Sequence, residues 1–166
     1  MGSNHELIYI GLGSNVGDRK FHIQHALKHL DTKLKINTVS SVYETSPQGY
    51  KEQSNFYNLV CSADNIIDVD ELLEVCKDIE IHCGRTPNFI NGPRILDIDI
   101  ISYGDQLLER EDLQIPHPRM HLRLFVLIPL AEINPDWVHP KLNVAIEKLI
   151  EENTDQGDIL NIGRVE

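Results

Sequence analysis

Short apolar-rich segments predict three strands in the first half of the chain, over residues 7–12, 36–43 and 56–63. Glycine, serine and asparagine predict a turn over residues 11–15, directly after the first strand. A second segment of turn-forming residues, 46–49, precedes the third strand.

Helical spacing predicts two helices around these strands. The first begins after a capping Asp18, and the second after Asp68, where Glu71 three positions later forms a capping box. Gly84 is suited to end the second helix. A fourth strand is predicted over residues 92–101, which are rich in isoleucine. The order β-α-β-β-α-β predicts a ferredoxin-like α+β fold with an antiparallel sheet.

The remainder of the chain predicts additions to a single domain of 166 residues. Two further helices are predicted near residues 125–133 and 143–152, with Pro129 interrupting the first pattern. The two ends, residues 1–5 and 154–166, are candidate disordered tails. No repeat or interdomain linker divides the chain.

Charge and apolar content exclude several classes of function. A net charge of −11 argues against binding to nucleic acid, because duplex binding needs a basic face. No apolar run approaches the roughly 18 residues that cross a bilayer, so we expect no membrane association. Three cysteines without metal-ligand spacing, and no signal-peptide pattern, indicate reduced thiols in a cytoplasmic protein.

Two aspartates in the fourth strand are the strongest candidates for chemistry. Successive strand side chains point to opposite faces, so Asp97 and Asp99 share one face, with Cα atoms roughly 6–7 Å apart. A solvated sheet face is the alternative explanation, although aspartate is uncommon in strands. Oxygen ligands beside Arg94, which can bind phosphate bidentately, favour magnesium carrying a nucleotide.

Other candidates are weaker when they are taken alone. Residues 116–125 concentrate two histidines and two arginines, which fits either a phosphate-binding loop or a solvated loop. Pro118 makes a zinc pair the poorer interpretation. Phe56 and Phe125 could enclose a flat heterocycle whose edge Asn58 reads. Spacing alone favours core packing for both rings.

Several of these segments together resemble the 6-hydroxymethyl-7,8-dihydropterin pyrophosphokinase family of folate biosynthesis. The most specific is G-P-R-I-L-D-I-D-I over residues 92–100, and G-L-G-S-N over residues 11–15 is moderately specific. The remaining matches stand in family order at residues 9–10, 17–19, 40–45, 56–58, 79–80, 84–85, 116–121, 123, 125–127 and 129–133. The resemblance implies a ferredoxin-like fold with additional C-terminal helices.

The resemblance also implies an activity, namely transfer of the β,γ-diphosphate of ATP to the hydroxymethyl oxygen of the pterin, with release of AMP. It implies two Mg²⁺ ions as cofactors. The implied catalytic residues are Arg85, Arg94, Asp97 and Asp99, of which the two aspartates hold the metal. The implied ATP-binding residues are Glu80, Arg94, Ile100, His117, Arg119 and Arg123. The implied pterin-binding residues are Thr45, Phe56, Asn58 and Phe125. We expect a monomer whose partners are these two small substrates.

One loop departs from the pattern of the family. Residues 86–91 contain no basic residue, and Asn91 stands where an aromatic residue is common. ATP affinity or the chemical step could be weaker for that reason, or another basic residue could substitute. Two alternatives stay open: a non-catalytic pterin- or nucleotide-binding module, and a magnesium-dependent phosphohydrolase.

Overall fold

A six-stranded antiparallel sheet organises the computed structural model, which describes residues 7–84 and 89–165. The main elements in chain order are β1 Leu7–Ser14, α1 Arg19–Lys33, β2 Lys35–Val39, β3 Val42–Thr45, β4 Phe56–Asp64, α2 Val69–His82, β5 Asp97–Tyr103, β6 Leu108–Glu109, β7 Gln114–Ile115, α3 Leu124–Ile133, α4 Ile146–Glu151 and β8 Ile159–Gly163. A short 3₁₀ turn, Met120–Leu122, precedes α3.

The strand order is β5-β1-β4-β3-β8, with β2 also paired to β4. The last strand of the β-α-β-β-α-β unit therefore lies beside the first, and the predicted ferredoxin-like fold is confirmed. The single strand predicted over residues 36–43 is wrong in detail, because the structure has two strands there. They separate at Ser40, whose hydroxyl accepts the Val60 backbone N–H at 3.0 Å and so replaces a carbonyl in the ladder.

Both predicted helix starts are confirmed by capping hydrogen bonds. The Asp18 carboxylate accepts the Phe21 N–H at 3.0 Å, and the Asp68 carboxylate accepts the Glu71 N–H at 2.8 Å. Gly84 follows the end of α2 with a φ of +90°, a conformation that glycine adopts without strain. These local signals position α1 and α2 correctly along the chain.

The two faces of the sheet are covered differently. Helices α1 and α2 pack on one face and form the larger core, which includes Ile8, Ile10, Leu12, Ile23, Leu30, Leu59, Leu72, Ile98 and Ile100. Helices α3 and α4 cover only part of the other face, with a smaller core that includes Tyr9, Val60, Ile101, Met120, Leu127 and Trp137. The uncovered part of that second face is where a ligand can reach the sheet.

Helix α3 fulfils the prediction for residues 125–133 and continues through Pro129. It is tied to the sheet by Glu132, whose carboxylate accepts the Ser41 N–H at 2.8 Å and the Tyr43 hydroxyl at 2.5 Å. Burial, together with this carboxylate, raises the pKa of Tyr43. The helix is therefore anchored across β3, at one side of the uncovered sheet face.

The candidate tail after Asn153 is ordered in part, because residues Ile159–Gly163 form the edge strand β8. The helix predicted over residues 143–152 is shorter than expected, Ile146–Glu151. The candidate tail over residues 1–5 lies outside the described residues. No helix within the described ranges combines the length and the apolar character that a membrane span requires.

Candidate active site

Polar residues on three neighbouring strands share the uncovered face of the sheet. The register places Asp97 of β5 opposite Gly13 of β1, and Gly13 opposite Asn58 of β4. Asp99 lies opposite Gly11 in the next row of the same face. Adjacent strands are roughly 4.8 Å apart, so Asp97 and Asn58 lie about 10 Å apart across the intervening strand.

The turn predicted over residues 11–15 is wrong at its start, because β1 continues to Ser14. Gly11 and Gly13 are therefore strand residues. A Cβ atom at Gly13 would lie 2.7 Å from the Asn58 Oδ1, and one at Gly11 would lie 3.3 Å from Ile101 Cδ1. Glycine inside a strand often marks a close approach by a ligand. Here the two glycines keep open the space between the aspartates and Asn58.

A cavity lies over this face, between the sheet, the loops after β3 and before β5, and the start of α3. Its walls include all four residues predicted to bind pterin, namely Thr45, Phe56, Asn58 and Phe125. Further wall residues are Gln48, Asn91, Arg94, Asp97, Asp99 and Arg123. The structure thus brings residues from five separate segments into one cavity.

A hydrogen bond fixes the orientation of the Asn58 amide. Its Nδ2 donates to the Thr45 Oγ1 at 2.7 Å, and both side chains are buried. The resemblance implied Thr45 as a pterin-binding residue, and in the structure its hydroxyl also holds the Asn58 side chain. Sequence spacing did not reveal this contact, because the two residues are 13 positions apart on different strands.

Arg94 is held in the cavity wall by a residue that the sequence analysis did not single out. The Asn15 Oδ1 accepts the Arg94 N–H at 2.7 Å, and the Asn15 N–H donates to the Arg94 carbonyl at 2.9 Å. The Asn15 Nδ2 also donates to the Gln53 Oε1 at 2.8 Å. Asn15 therefore joins the end of β1 to the two loops that border the cavity. Its position within the G-L-G-S-N motif was the available signal.

The basic segment 116–125 lies beside the two aspartates. Burial lowers the pKa of the Arg123 guanidinium, whereas the carboxylates of Asp99 and Asp97 oppose that shift. The guanidinium carbon lies 5.5 Å from the centre of the Phe125 ring. Arg119, by contrast, is exposed. Arg123 is thus the segment's half-buried cation on the cavity wall.

His117 is a neutral imidazole at pH 7. Burial lowers its pKa to about 4, and the positive charges of Arg123 and Arg119 add to the effect. Its Nδ1 accepts the Arg119 backbone N–H at 3.1 Å, which places the proton on Nε2. The Nε2–H is therefore a donor that can bind an anion.

The lowered pKa of His117 predicts a contribution to stability that depends on pH. In the unfolded chain a histidine titrates near 6.5, so the contribution is complete above that value and is lost as pH falls towards about 4. Between pH 6.5 and 4, we expect the unfolding free energy of His117→Asn to fall less steeply with decreasing pH than that of the wild type. The two slopes should differ by about 1 kcal/mol per pH unit. Urea titrations at pH 4.5, 5.5 and 6.5 measure the slopes.

A second cavity lies on the outer side of β5, the edge strand. Its lining includes Glu80, Ile100 and His117, three of the residues predicted to bind ATP, and again Asp97 and Asp99. The Glu80 Oε2 accepts the Ile98 N–H at 2.9 Å, which fixes the carboxylate along this edge. The two aspartates therefore border both cavities. Arg85, the remaining predicted catalytic residue, lies outside the described residues.

The aspartate pair suits magnesium better than a metal with three or more protein ligands. Within residues 7–84 and 89–165, no group of three or more His, Cys, Asp or Glu side chains is placed to hold an ion. Mg²⁺ typically uses one or two carboxylates and takes its other ligands from water and substrate phosphates. Two carboxylates between two cavities fit that requirement.

Comparison with known proteins identifies the family. The profile of 7,8-dihydro-6-hydroxymethylpterin-pyrophosphokinase (HPPK) matches residues 9–135. The chain belongs to the HPPK family. A 2-amino-4-hydroxy-6-hydroxymethyldihydropteridine pyrophosphokinase of Aquifex aeolicus is 40% identical over 147 residues, covering 89% of this chain and 92% of that protein. The Bacillus subtilis protein of the same name is 44% identical over 129 residues, covering 76% and 77%.

Some relatives of this chain are much longer proteins. A folic acid synthesis protein of Dictyostelium discoideum is 39% identical over 96% of this chain, which spans only 24% of that protein. The solved wild-type HPPK-DHPS of Plasmodium falciparum has a TM-score of 0.67 at 20% identity, covering 88% of this chain and 44% of that one. At that identity the structural likeness shows the shared fold alone.

The glycine at the centre of this face, Gly13, yields a direct test of the cavity. Gly13→Ala would place a Cβ against the Asn58 amide, so we expect the KM for the pterin to rise about tenfold. The same crowding should lower the unfolding free energy by about 1–3 kcal/mol. Steady-state kinetics and urea unfolding measure the two effects. Gly11→Ala meets only the end of the Ile101 side chain and should lose less stability. An unchanged KM for the pterin in Gly13→Ala would contradict this account of the cavity.

Proposed function

We propose that this protein transfers the β,γ-diphosphate of ATP to the hydroxymethyl oxygen of 6-hydroxymethyl-7,8-dihydropterin. In this reaction the hydroxyl oxygen attacks the β-phosphorus, the bond from that phosphorus to the α,β-bridging oxygen breaks, and AMP leaves. The hydroxyl proton passes to solvent. The observation that carries the proposal is that Asp97 and Asp99 border two cavities at once. One cavity has the features of a heterocycle site, and the other follows a strand edge.

In the proposed complex, Asp97 and Asp99 hold two Mg²⁺ ions. When they are bound, these ions neutralise phosphate charge and polarise the phosphoryl oxygens. The carboxylates themselves fix the place of the triphosphate, because β5 is paired to the central strand β1 and cannot move independently of the sheet. A rigid strand is a more exact support for such a site than a loop.

The pterin binds in the first cavity, between Phe56 and Phe125. Aromatic walls suit a flat bicyclic ring, and the Asn58 amide at the base of the cavity can read its edge. The Thr45 hydroxyl keeps that amide in one orientation. The distance of about 10 Å between Asn58 and Asp97 leaves room for the ring to direct its hydroxymethyl group towards the aspartates.

The cationic residues bind the triphosphate and stabilise the charge that develops during transfer. Arg123 and Arg94 line the cavity beside the aspartates, and the His117 Nε2–H offers a neutral donor from the second cavity. Arg85 and Arg119 supply further positive charge. Glu80 and Ile100 along the β5 edge accommodate the nucleoside. Such prepositioned donors supply much of the catalysis in phosphoryl transfer.

One assay tests the proposal. The protein is incubated with Mg²⁺, ATP and 6-hydroxymethyl-7,8-dihydropterin, and AMP is measured with and without the pterin. We expect AMP to form only when the pterin is present. Pterin binding without AMP would indicate a non-catalytic binding module, and release of ADP or phosphate without pterin would indicate a phosphohydrolase. Either result would overturn the proposal.

We further propose that the enzyme acts as a monomer in the cytoplasm on these two small molecules, without a nucleic acid or membrane partner. The net charge of −11 supports the absence of a nucleic acid or membrane partner, because it disfavours binding to polyanionic surfaces. Sedimentation analysis at micromolar concentration would measure the oligomeric state, and a stable dimer would contradict this part of the proposal.

A further inference from the structure

The C-terminal segment borders the proposed pterin pocket, although it follows the residues 9–135 that the family profile matches. Strand β8 pairs with β3, and Ile159 lies opposite Thr45. Ser46 continues this pairing, because its N–H donates to the Asp158 carbonyl at 3.1 Å and its hydroxyl accepts the Asp158 N–H at 2.9 Å. The loop after β3 is therefore fastened to the end of the chain.

One carboxylate in this segment joins two walls of the pocket. The Asp155 Oδ2 accepts the Gln48 Nε2 at 2.7 Å and the Leu124 backbone N–H at 3.3 Å. The Asp155 Oδ1 accepts the Gly157 N–H at 2.8 Å, which holds the carboxylate in place. Gln48 lies in the loop after β3, and Leu124 begins the helix that carries Phe125.

The contact with Leu124 supplies a cap that α3 lacks locally. Arg123 occupies the N-cap position but makes no side-chain capping hydrogen bond. Asp155 provides the acceptor from the far end of the chain, and its negative charge is favourable at the N-terminus of a helix. This contact fixes the first helical turn, from which Phe125 lines the pocket.

The contact with Gln48 selects one orientation of its amide. A carboxylate accepts hydrogen bonds and donates none, so Gln48 must present Nε2 to Asp155. The reversed amide would place two acceptors against each other. The Gln48 side chain lines the pocket, and its Oε1 is the atom left to accept a hydrogen bond there. A heterocycle with N–H donors on its edge complements such an oxygen.

We propose that Asp155 is a positioning residue for the pterin substrate. It holds the Gln48 amide with its carbonyl available to an N–H donor of the ring, and it holds the first turn of α3 so that Phe125 can face the ring. This inference rests on the proposed function, because it assigns the first cavity to the pterin. It adds a residue from beyond the matched family segment to the determinants of substrate affinity.

Steady-state kinetics of Asp155→Ala test this role. We expect the KM for the pterin to rise about tenfold, which is the effect of losing a hydrogen bond to a charged group. The kcat and the KM for ATP should stay within about twofold of wild type. Asp158→Ala is the matched control, because Asp158 lies in the same segment and contacts Ser46 through its backbone atoms. Gln48→Ala should reduce the effect of the Asp155 change when the two are combined.

The outcomes separate this inference from the function on which it rests. If the wild type forms no AMP with the pterin, the proposed function fails and this inference fails with it. If the wild type is active and Asp155→Ala keeps the wild-type KM for the pterin, only this inference is overturned. A lower kcat together with a higher KM for both substrates and a lower unfolding temperature would also overturn it. That pattern indicates general destabilisation.

Discussion

Asp97→Asn and Asp99→Asn should each lower the rate of pterin-dependent AMP formation by a factor on the order of 10³. The reason is that, within the described residues, no third His, Cys, Asp or Glu side chain is placed to share an ion with these two carboxylates, so each change removes one of two candidate protein ligands. Because asparagine keeps the size of aspartate, the sheet should remain intact. The measurement is kcat at saturating Mg²⁺, with circular dichroism and thermal unfolding as checks on the fold.

Asp105→Asn is the matched control for these two variants. Asp105 follows the same strand, in the turn after β5, and its side chain is exposed to solvent. It should retain wild-type kcat. Retention of more than a tenth of wild-type kcat by either Asp97→Asn or Asp99→Asn would contradict the assignment of the metal site.

Arg123→Ala should lower kcat by about 10²–10³. Its guanidinium is half-buried beside Asp97 and Asp99 and lines the pocket, so it can stabilise negative charge on the diphosphate during transfer. Arg123→Lys should recover part of the lost kcat, because lysine restores the positive charge but cannot make the bidentate hydrogen bonds of a guanidinium. Comparison of kcat and both KM values separates this effect from a loss of pterin binding.

Arg164→Ala is the control for a general effect of removing positive charge. Arg164 is an exposed residue whose guanidinium donates to the Val39 carbonyl at 2.6 Å, away from the residues that line either cavity. It should keep wild-type kcat. If Arg123→Ala lost only ATP affinity, with kcat unchanged, the role in stabilising charge during transfer would be contradicted.

The parts of the fold that follow from neighbouring residues could be predicted from the sequence. The capping contacts of Asp18 and Asp68 each span three residues, so the sequence pattern alone locates both helix starts. The shared face of Asp97 and Asp99 follows from the alternation of side chains along any strand. The break at Ser40 was not predictable in the same way, because it depends on a contact with Val60 in another strand.

The parts of the site that depend on distant contacts could not be predicted. Gly11 and Gly13 suggested a turn because glycine is common in turns, and only the register with β4 and β5 shows why a strand needs them. Asn15 and Asp155 act on residues 79 and 107 positions away, which no local pattern reveals. The family resemblance implied Thr45, Phe56, Asn58 and Phe125 as pterin-binding residues, and all four line one cavity, whereas the role of each stays a prediction.

A crystal structure with Mn²⁺, a nonhydrolysable ATP analogue and 6-hydroxymethylpterin would test the central claim most directly. Manganese replaces magnesium at oxygen sites and can be located by its anomalous scattering. We expect anomalous peaks within about 2.2 Å of oxygens from both Asp97 and Asp99, each bridging to a phosphate oxygen, with the pterin ring beside Asn58. Manganese and phosphates bound elsewhere, with the two aspartates contacting neither, would contradict the account.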